Sequence, residues 1–505
     1  MSIRLHLLLA SSLAIAVAPV MAAEPEPIGA LTATRRLSTP SESQANYAGL
    51  VRQSLLRLAE EHPEVQSARA AANTGQYAVD SARQARYPRF RMGTSSGTYD
   101  SGLPGSTSQS YRQITADLRM SLLDGGVMSA RVKAAEAGGM AQSEAVKSTS
   151  QKVVLDALTA YLQVQRYDLK MLIAHRSTLI LEELGHAEQR RVALGAVGQN
   201  NLRMAGARRA GTAARELEFD ALRGEAAAKF ETYFRLKANT LLLSGLAVPL
   251  AWRPASLEQA LQQAEAQSSE LTEAQERVTQ ARAVVDQQSA SIYPTLDAVL
   301  VKTKDPRGLA VPEPTRASLE LNWNFGNGFD QQTRLKGALA EVANQEAKQE
   351  SVKLNLTEVT TSSWNRAVAG REREKQLLEA VSESGEAFRG RRRLLELGRE
   401  TLPAVLDAQV DYYTLLLDYV DALFDLRLTE FRVARATGRL WVAPDSDNAW
   451  VTSIFSGAVR PLLTPDGMLS TPCNAKTAPC VVASGSSAKA PAGLALQAAT
   501  RLKIR

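Results

Sequence analysis

Few residues in this chain have the type and spacing that chemistry would need. Gly93-Thr94-Ser95-Ser96-Gly97 fits the G-x-S-x-G pattern, which in hydrolases puts a nucleophilic serine on a sharp strand-to-helix turn. Here it falls inside a segment that reads as a hairpin strand, so it is not assigned as a nucleophile. His175 and His186 flank Glu182 and Glu183, but not at the H-E-x-x-H spacing that turns two imidazoles toward one zinc ion. They read as residues of a solvated helix face. Four histidines and two cysteines in the whole chain leave no stock for a zinc cage or an iron-sulfur cluster. No Gly-rich phosphate loop ending in Lys-Ser/Thr is present, so no use of nucleotide is expected. The run Arg389-Gly390-Arg391-Arg392-Arg393 could dock an acidic partner, although a solvated face is the commoner fate of such a cluster. Cys473 and Cys480 are close enough in sequence for a small-loop disulfide in an oxidising compartment, and equally well placed to stay free thiols. The expectation is a protein that is not an enzyme, with no cofactor and no resident metal.

The elements that carry these residues are long. The 505 residues would make about three average domains or one elongated molecule. Basic residues exceed acidic ones, 59 against 53, a surplus too mild to demand a nucleic-acid partner. Aromatic residues make up 5 %, while Ala, Leu, Gln, Glu and Arg crowd the chain, a composition of long helices. Arg4, the apolar run Leu7 to Val20, and small residues around Val20-Met21-Ala22 read as a secretory signal peptide over 1–22. No Cys follows that run, so no lipid-modified N-terminus is expected. No later segment has the roughly 18 consecutive apolar residues of a spanning helix.

Proline is absent between Pro104 and Pro249, between Pro314 and Pro403, and between Pro403 and Pro444. It costs about 3 kcal/mol inside a helix, so such gaps are what long helices need. Val127 to Leu194 could be one helix reaching on the order of 100 Å, too long for a globular core. Leu271, Val278, Val285 and Ile292 recur every seven residues, with Ala274, Ala281 and Gln288 in the companion position. Val65, Ala72 and Val79 do the same with Ala68, Gly75 and Ala82. This is the seam of a coiled coil, and its small side chains allow close helix approach. The helix with Leu402, Leu406, Gln409, Tyr413, Leu416, Val420 and Leu423 has a similar seam.

The chain also repeats itself. Glu64 to Pro88 lies on Glu270 to Pro294 without a gap, pairing Glu64/Glu270, Ala68/Ala274, Val79/Val285, Asp80/Asp286, Tyr87/Tyr293 and Pro88/Pro294. At a slightly shorter offset Gly125/Gly328, Arg131/Arg334, Lys133/Lys336, Ala135/Ala338 and Leu194-Gly195/Leu397-Gly398 follow in order. The expected organisation is a linker over 23–43, a first repeat over 44–248 with a hairpin at about 89–123, and a linker over 249–255. A second repeat over 256–443, with a hairpin at about 295–325, and a poorly ordered tail over 444–505 complete it.

After each Tyr-Pro the period changes from seven to two. Ile114, Ala116, Leu118, Met120 and Leu122 alternate with Thr115, Asp117, Arg119 and Ser121. Ala317, Leu319, Leu321, Trp323 and Phe325 alternate with Arg316, Ser318, Glu320, Asn322 and Asn324. Strands of about 9–11 residues with one apolar face suit the wall of a transmembrane β-barrel. An ordinary antiparallel sheet packed on helices has the same alternation. In lipid a sheet must close on itself, and membrane barrels begin at about eight strands, so a barrel would need several chains.

These residues resemble the TolC-type outer-membrane channels of Gram-negative bacteria. The resemblance rests on His62-Pro63-Glu64-Val65, the two Tyr-Pro entries into strands, and the passages Leu122-Leu123-Asp124-Gly125-Gly126 and Phe325-Gly326-Asn327-Gly328. Its most specific part is Gly398 followed by Leu402-Pro403-Ala404-Val405-Leu406-Asp407-Ala408, similar to the family's helix-turn-helix tip, with Gly195, Leu202 and Ala205 as the first-half counterpart. It spans roughly residues 44–441. It implies a mainly α protein with a small β part: a long coiled-coil helical barrel, and four strands per chain sharing one transmembrane barrel in a homotrimer. It also implies outer-membrane lipid around the barrel, a periplasmic adaptor at the helix tips, and an inner-membrane ABC or proton-driven transporter as the energy source. The exit would serve type I protein secretion or drug efflux, with the absence of lipidation leaning slightly toward secretion. Asp407 resembles an aspartate lining the narrow periplasmic entrance; as a helix-start carboxylate it would instead serve the helix dipole. Ala404 stands where some members have a second aspartate, and Glu400 and Asn201 where they keep an Arg and an Asp that hold the entrance shut. A periplasmic coiled-coil adaptor or scaffold without a barrel is the alternative reading.

Overall fold

A computed structural model describes residues 42–99, 109–304, 315–324, 327, 330–443, 448–455, 462–463 and 469–470. The signal peptide, most of the linker over 23–43, Phe325, Cys473 and Cys480 lie outside the described residues. The element order is α1 (Glu42–Glu61), α2 (Pro63–Gln84), β1 (Arg89–Tyr99), β2 (Gln109–Leu123), α3 (Val127–Ala193) and α4 (Gln199–Phe234). It continues with α5 (Leu257–Gln267), α6 (Ser269–Ala290), β3 (Thr295–Lys304), β4 (Thr315–Asn322), α7 (Asp330–Glu396), α8 (Leu402–Ala436) and the short α9 (Ala449–Ile454). Helices correspond in length across the halves: 22 residues each for α2 and α6, 67 each for α3 and α7, and 36 and 35 for α4 and α8. At about 1.5 Å per residue, α3 and α7 each reach on the order of 100 Å, so the molecule is a rod.

Local chemistry sets where these helices begin and turn. His62 caps α2, its Nδ1 accepting from the Glu64 N–H at 3.3 Å, and Pro63 starts the helix where a missing N–H does no harm. In α6 the same position is taken by Ser268, whose Oγ accepts from the Leu271 N–H at 3.3 Å. The turns from α3 into α4 and from α7 into α8 are built alike. Gly195 and Gly398 sit at φ +70° and +68°, and a six-to-one bond closes each helix, Ala196 N–H to Arg191 O and Arg399 N–H to Leu394 O.

Packing then separates two regimes. Along α2 and α3 the seam is small: Val65, Gly75, Val79 and Ala82 are buried, and a Cβ on Gly75 would stand 3.3 Å from the Gly139 Cα. Around the middle of α3 the core is large and aromatic. Tyr161, Phe230 and Phe234 are buried together, Phe230 and Phe234 stack at 4.5 Å, and the Tyr161 hydroxyl donates to Ser244 O at 2.6 Å. The helix α7 is buried at few positions within one chain, which leaves Leu339 and Leu354 exposed.

The four main strands form one antiparallel sheet in the order β1-β2-β3-β4, so β2 against β3 joins the halves. At 15 residues β2 outruns the expected length, and β3 extends through Lys304. The last strand is shorter than its alternation suggests. The ladder ends at Thr295 opposite Asn322, because Pro294 has no N–H to extend it. Trp323, expected from the sequence to be a strand residue, lies just past the end of β4, and its Nε1 donates to Ile292 O at 3.1 Å.

Candidate channel wall and helical tip

Register assigns every strand residue to a face. Phe90, Leu118, Leu300 and Ala317 form one row, and Met120, Ala298 and Leu319 the next, with Leu296 opposite Leu321 beyond them. Ile114 stands on the same face, two residues past Ala116. The opposite face has Arg89, Arg119, Val299 and Ser318 in one row, and Arg91, Asp117, Val301 and Arg316 in another. Part of the charge on that face is paired: Arg119 donates to Glu320 at 2.9 Å and lies 3.8 Å from Asp297, and Arg316 is 3.4 Å from Glu320.

The burial of the two faces is reversed from that of a water-soluble sheet. Leu319 and Leu321 are 69 % and 67 % exposed, and Leu118 and Leu122 are also exposed, while Val299 on the charged face is 5 % exposed. An apolar face left bare beside a satisfied polar one is the arrangement of a wall with lipid outside and water within. Among the described residues no helix is long and apolar enough to cross a membrane.

The passage out of β2 into α3 is tightly built. Asp124 accepts from the N–H groups of Gly126 (3.0 Å) and Met128 (2.6 Å), and Gly125 adopts φ +65°. A Cβ at Gly125 would stand 2.9 Å from Ala290 O, so only glycine fits between sheet and α6.

At the far end of the rod, the tip residues divide into two sets. Gly195, Gly398 and the neighbouring Leu194 and Leu397 are exposed, and Leu202 and Pro403 are half-buried. Ala205, Leu402 and Val405 are buried in the core. They pack the tip from within, so their side chains are not part of the tip's exposed surface in one chain.

Asp407 has a partner the sequence did not suggest. Arg208 Nη2 donates to its Oδ1 at 2.7 Å, across from α4 to α8. Asp407 stands beyond the first turn of α8, where no acidic residue occurs, so it does not serve the helix dipole. Nearby, Arg392 donates to Glu183 at 2.7 Å, and Gln409 to the Ser177 hydroxyl. Asn201 donates to buried Glu188 at 3.1 Å, and Glu400 accepts from the Thr401 N–H at 3.0 Å, so both are satisfied within the chain.

Further up, ion pairs bind the halves together. Arg166 donates to Asp421 and Asp425, each at 2.8 Å, and Lys170 to Asp421 at 3.0 Å. Buried Glu430 accepts from Arg253 at 3.0 Å and Arg371 at 3.3 Å. Burial pushes the Glu374 carboxyl above its ordinary pKa, with Arg427 opposing the rise and Glu430 adding to it.

A long helical rod ending in a four-stranded sheet with its apolar face outward defines one protomer of a helical-barrel outer-membrane channel. The chain belongs to the outer membrane efflux protein family, whose model matches residues 33–229 and 260–439. No curated protein matches it. Among solved structures it is similar to the outer-membrane channel OprN at 16 % identity and TM-score 0.70, covering 78 % of this chain and 91 % of that one. The Campylobacter jejuni outer membrane channel CmeC is 10 % identical with TM-score 0.68, over 81 % of this chain and 89 % of that one. The open-state outer membrane channel MtrE of Neisseria gonorrhoeae is 15 % identical with TM-score 0.67, over 78 % and 91 %.

Proposed function

We propose that this chain is the outer-membrane channel of a tripartite export system, passively conducting substrates from an inner-membrane transporter and a periplasmic adaptor to the outside. The observation that carries the reading is the reversed burial of the sheet, with Leu319 and Leu321 exposed beside the ion-paired Arg119 and Glu320. A periplasmic scaffold would have to leave that apolar face in water.

The assembly follows from the sheet edges. Among the described residues the outer edges of β1 and β4 have no partner strand, and lipid tolerates no bare edge. Three copies closing edge to edge give twelve strands and no edge, with the helices continuing as a periplasmic tunnel. The exposed turns at Gly195 and Gly398 are the surface open to the adaptor. The transporter is of the ABC or proton-driven type, and the cargo is that of type I secretion or of efflux. Three Asp407–Arg208 pairs then ring the periplasmic entrance.

Membrane fractionation followed by native mass of the detergent-solubilised protein tests this. The expected result is an outer-membrane species of three chains. A soluble periplasmic monomer or dimer would sink the channel and leave the scaffold.

A further inference from the structure

The apolar face of the sheet ends differently at its two rims. At the helix end, just outside the strands, Tyr87, Tyr293 and Trp323 are exposed and mark an aromatic rim. At the other end the same face carries charge. Register pairs Lys302 with Ala116, whose other neighbour is Met92, and Lys304 with Ile114, whose other neighbour is Thr94. Arg112, opposite Ser96, stands two residues beyond Ile114 on that face. All three cations are exposed, and none has an ion-pair partner among the described residues.

The separation of the rims fits a bilayer. From Thr295 to Lys304 the strand β3 rises about 3.4 Å per residue, roughly 30 Å in all, and a tilt of about 40° reduces that to about 23 Å. That is close to the height of the lipid-facing band of a membrane barrel, so the lysines and Arg112 stand at the headgroups and not in the hydrocarbon. The helices leave from the aromatic rim, so the basic rim faces the cell exterior.

Resting on the channel reading, we infer that Lys302, Lys304 and Arg112 bind the phosphate groups of a phosphorylated glycolipid in the outer leaflet. Two ammonium groups and a guanidinium stand on three successive rows of the sheet, close enough to share one polyanionic headgroup. The guanidinium fork matches two phosphate oxygens, and the lysine stems lie along the apolar wall while their heads reach the interface. The inward face, by contrast, pairs Arg119 and Arg316 with carboxylates of its own sheet. Among the described residues the outward cations have none, which leaves their charge for the lipid. A zwitterionic glycerophospholipid brings its own ammonium and answers this cluster poorly.

The test uses the purified full-length trimer in nanodiscs, with lipid occupancy read by native mass spectrometry. The probes are diphosphoryl lipid A and the same lipid stripped of phosphate. Wild type should hold the diphosphoryl form at least about tenfold more tightly, with the preference falling as salt rises. The triple variant Lys302→Gln, Lys304→Gln, Arg112→Gln should lose that preference while still migrating as a trimer. If the triple variant does not assemble, the wild-type comparison of the two lipids decides alone. A trimer that binds both lipids equally overturns this inference and leaves the channel intact, whereas a wild type that is no membrane trimer overturns the channel first.

Discussion

Asp407 and Arg208 are best understood as one unit. Each Asp407 carboxylate stands 2.7 Å from a guanidinium, so three copies around an axis make a ring of ion pairs and not of bare anions. The carboxylate is 62 % exposed, and a pair so open to water is worth less than about 1 kcal/mol to stability. In the proposed trimer its weight would fall on the potential at the entrance. Asp407→Ala should therefore leave assembly unchanged, strand the Arg208 charge, and move ion selectivity toward anions in planar bilayers. Arg208→Ala should move it toward cations, and the double variant should return close to wild type. Reversal potentials identical in all four proteins would remove both residues from the pore. The sequence offered Asp407 through family likeness but could not offer Arg208, since a contact across 199 residues leaves no local spacing to read.

Among the elements, β2 is one of the two inner strands with no spare side. It pairs with β1 along Arg89 to Tyr99 and with β3 along Leu296 to Lys304, so both its backbone edges are committed. Leu118→Pro removes a ladder donor and forces a kink at the centre of the sheet. Trimer recovered from membranes should fall to near nothing, against little change for Leu118→Val; a wild-type yield for the proline variant would refute the wall. The strands were legible because one face buried or lipid-bound imposes period two, and the helices because proline gaps and seven-residue seams are local patterns. The end of β4 was not. Alternation runs on through Trp323, but the ladder stops where the facing chain reaches Pro294, just before β3, and a missing N–H there does not show in the alternating segment itself. The tip was half legible for a similar reason: Gly195 and Gly398 announce turns, whereas the inward packing of Leu402 and Val405 depends on the helices they meet.

Taken as a whole, the molecule places its open edges and its bare apolar surfaces where only further copies or lipid can cover them. The outer edges of β1 and β4 leave rows of backbone donors and acceptors, each costing several kcal/mol if unpaired in hydrocarbon. The exposed Leu339 and Leu354 on α7 ask for a neighbour along the tunnel as well. Separation of one chain would expose both at once, so dissociation within a membrane should have no populated intermediate. Two populations of trimer carrying different affinity tags, co-reconstituted in one bilayer, should therefore exchange no subunits over hours, and tandem purification should recover only unmixed trimers. Mixed trimers forming under those conditions would mean that the sheet edges are satisfied within one chain, and the shared barrel would have to be abandoned even if the protein remained in the outer membrane.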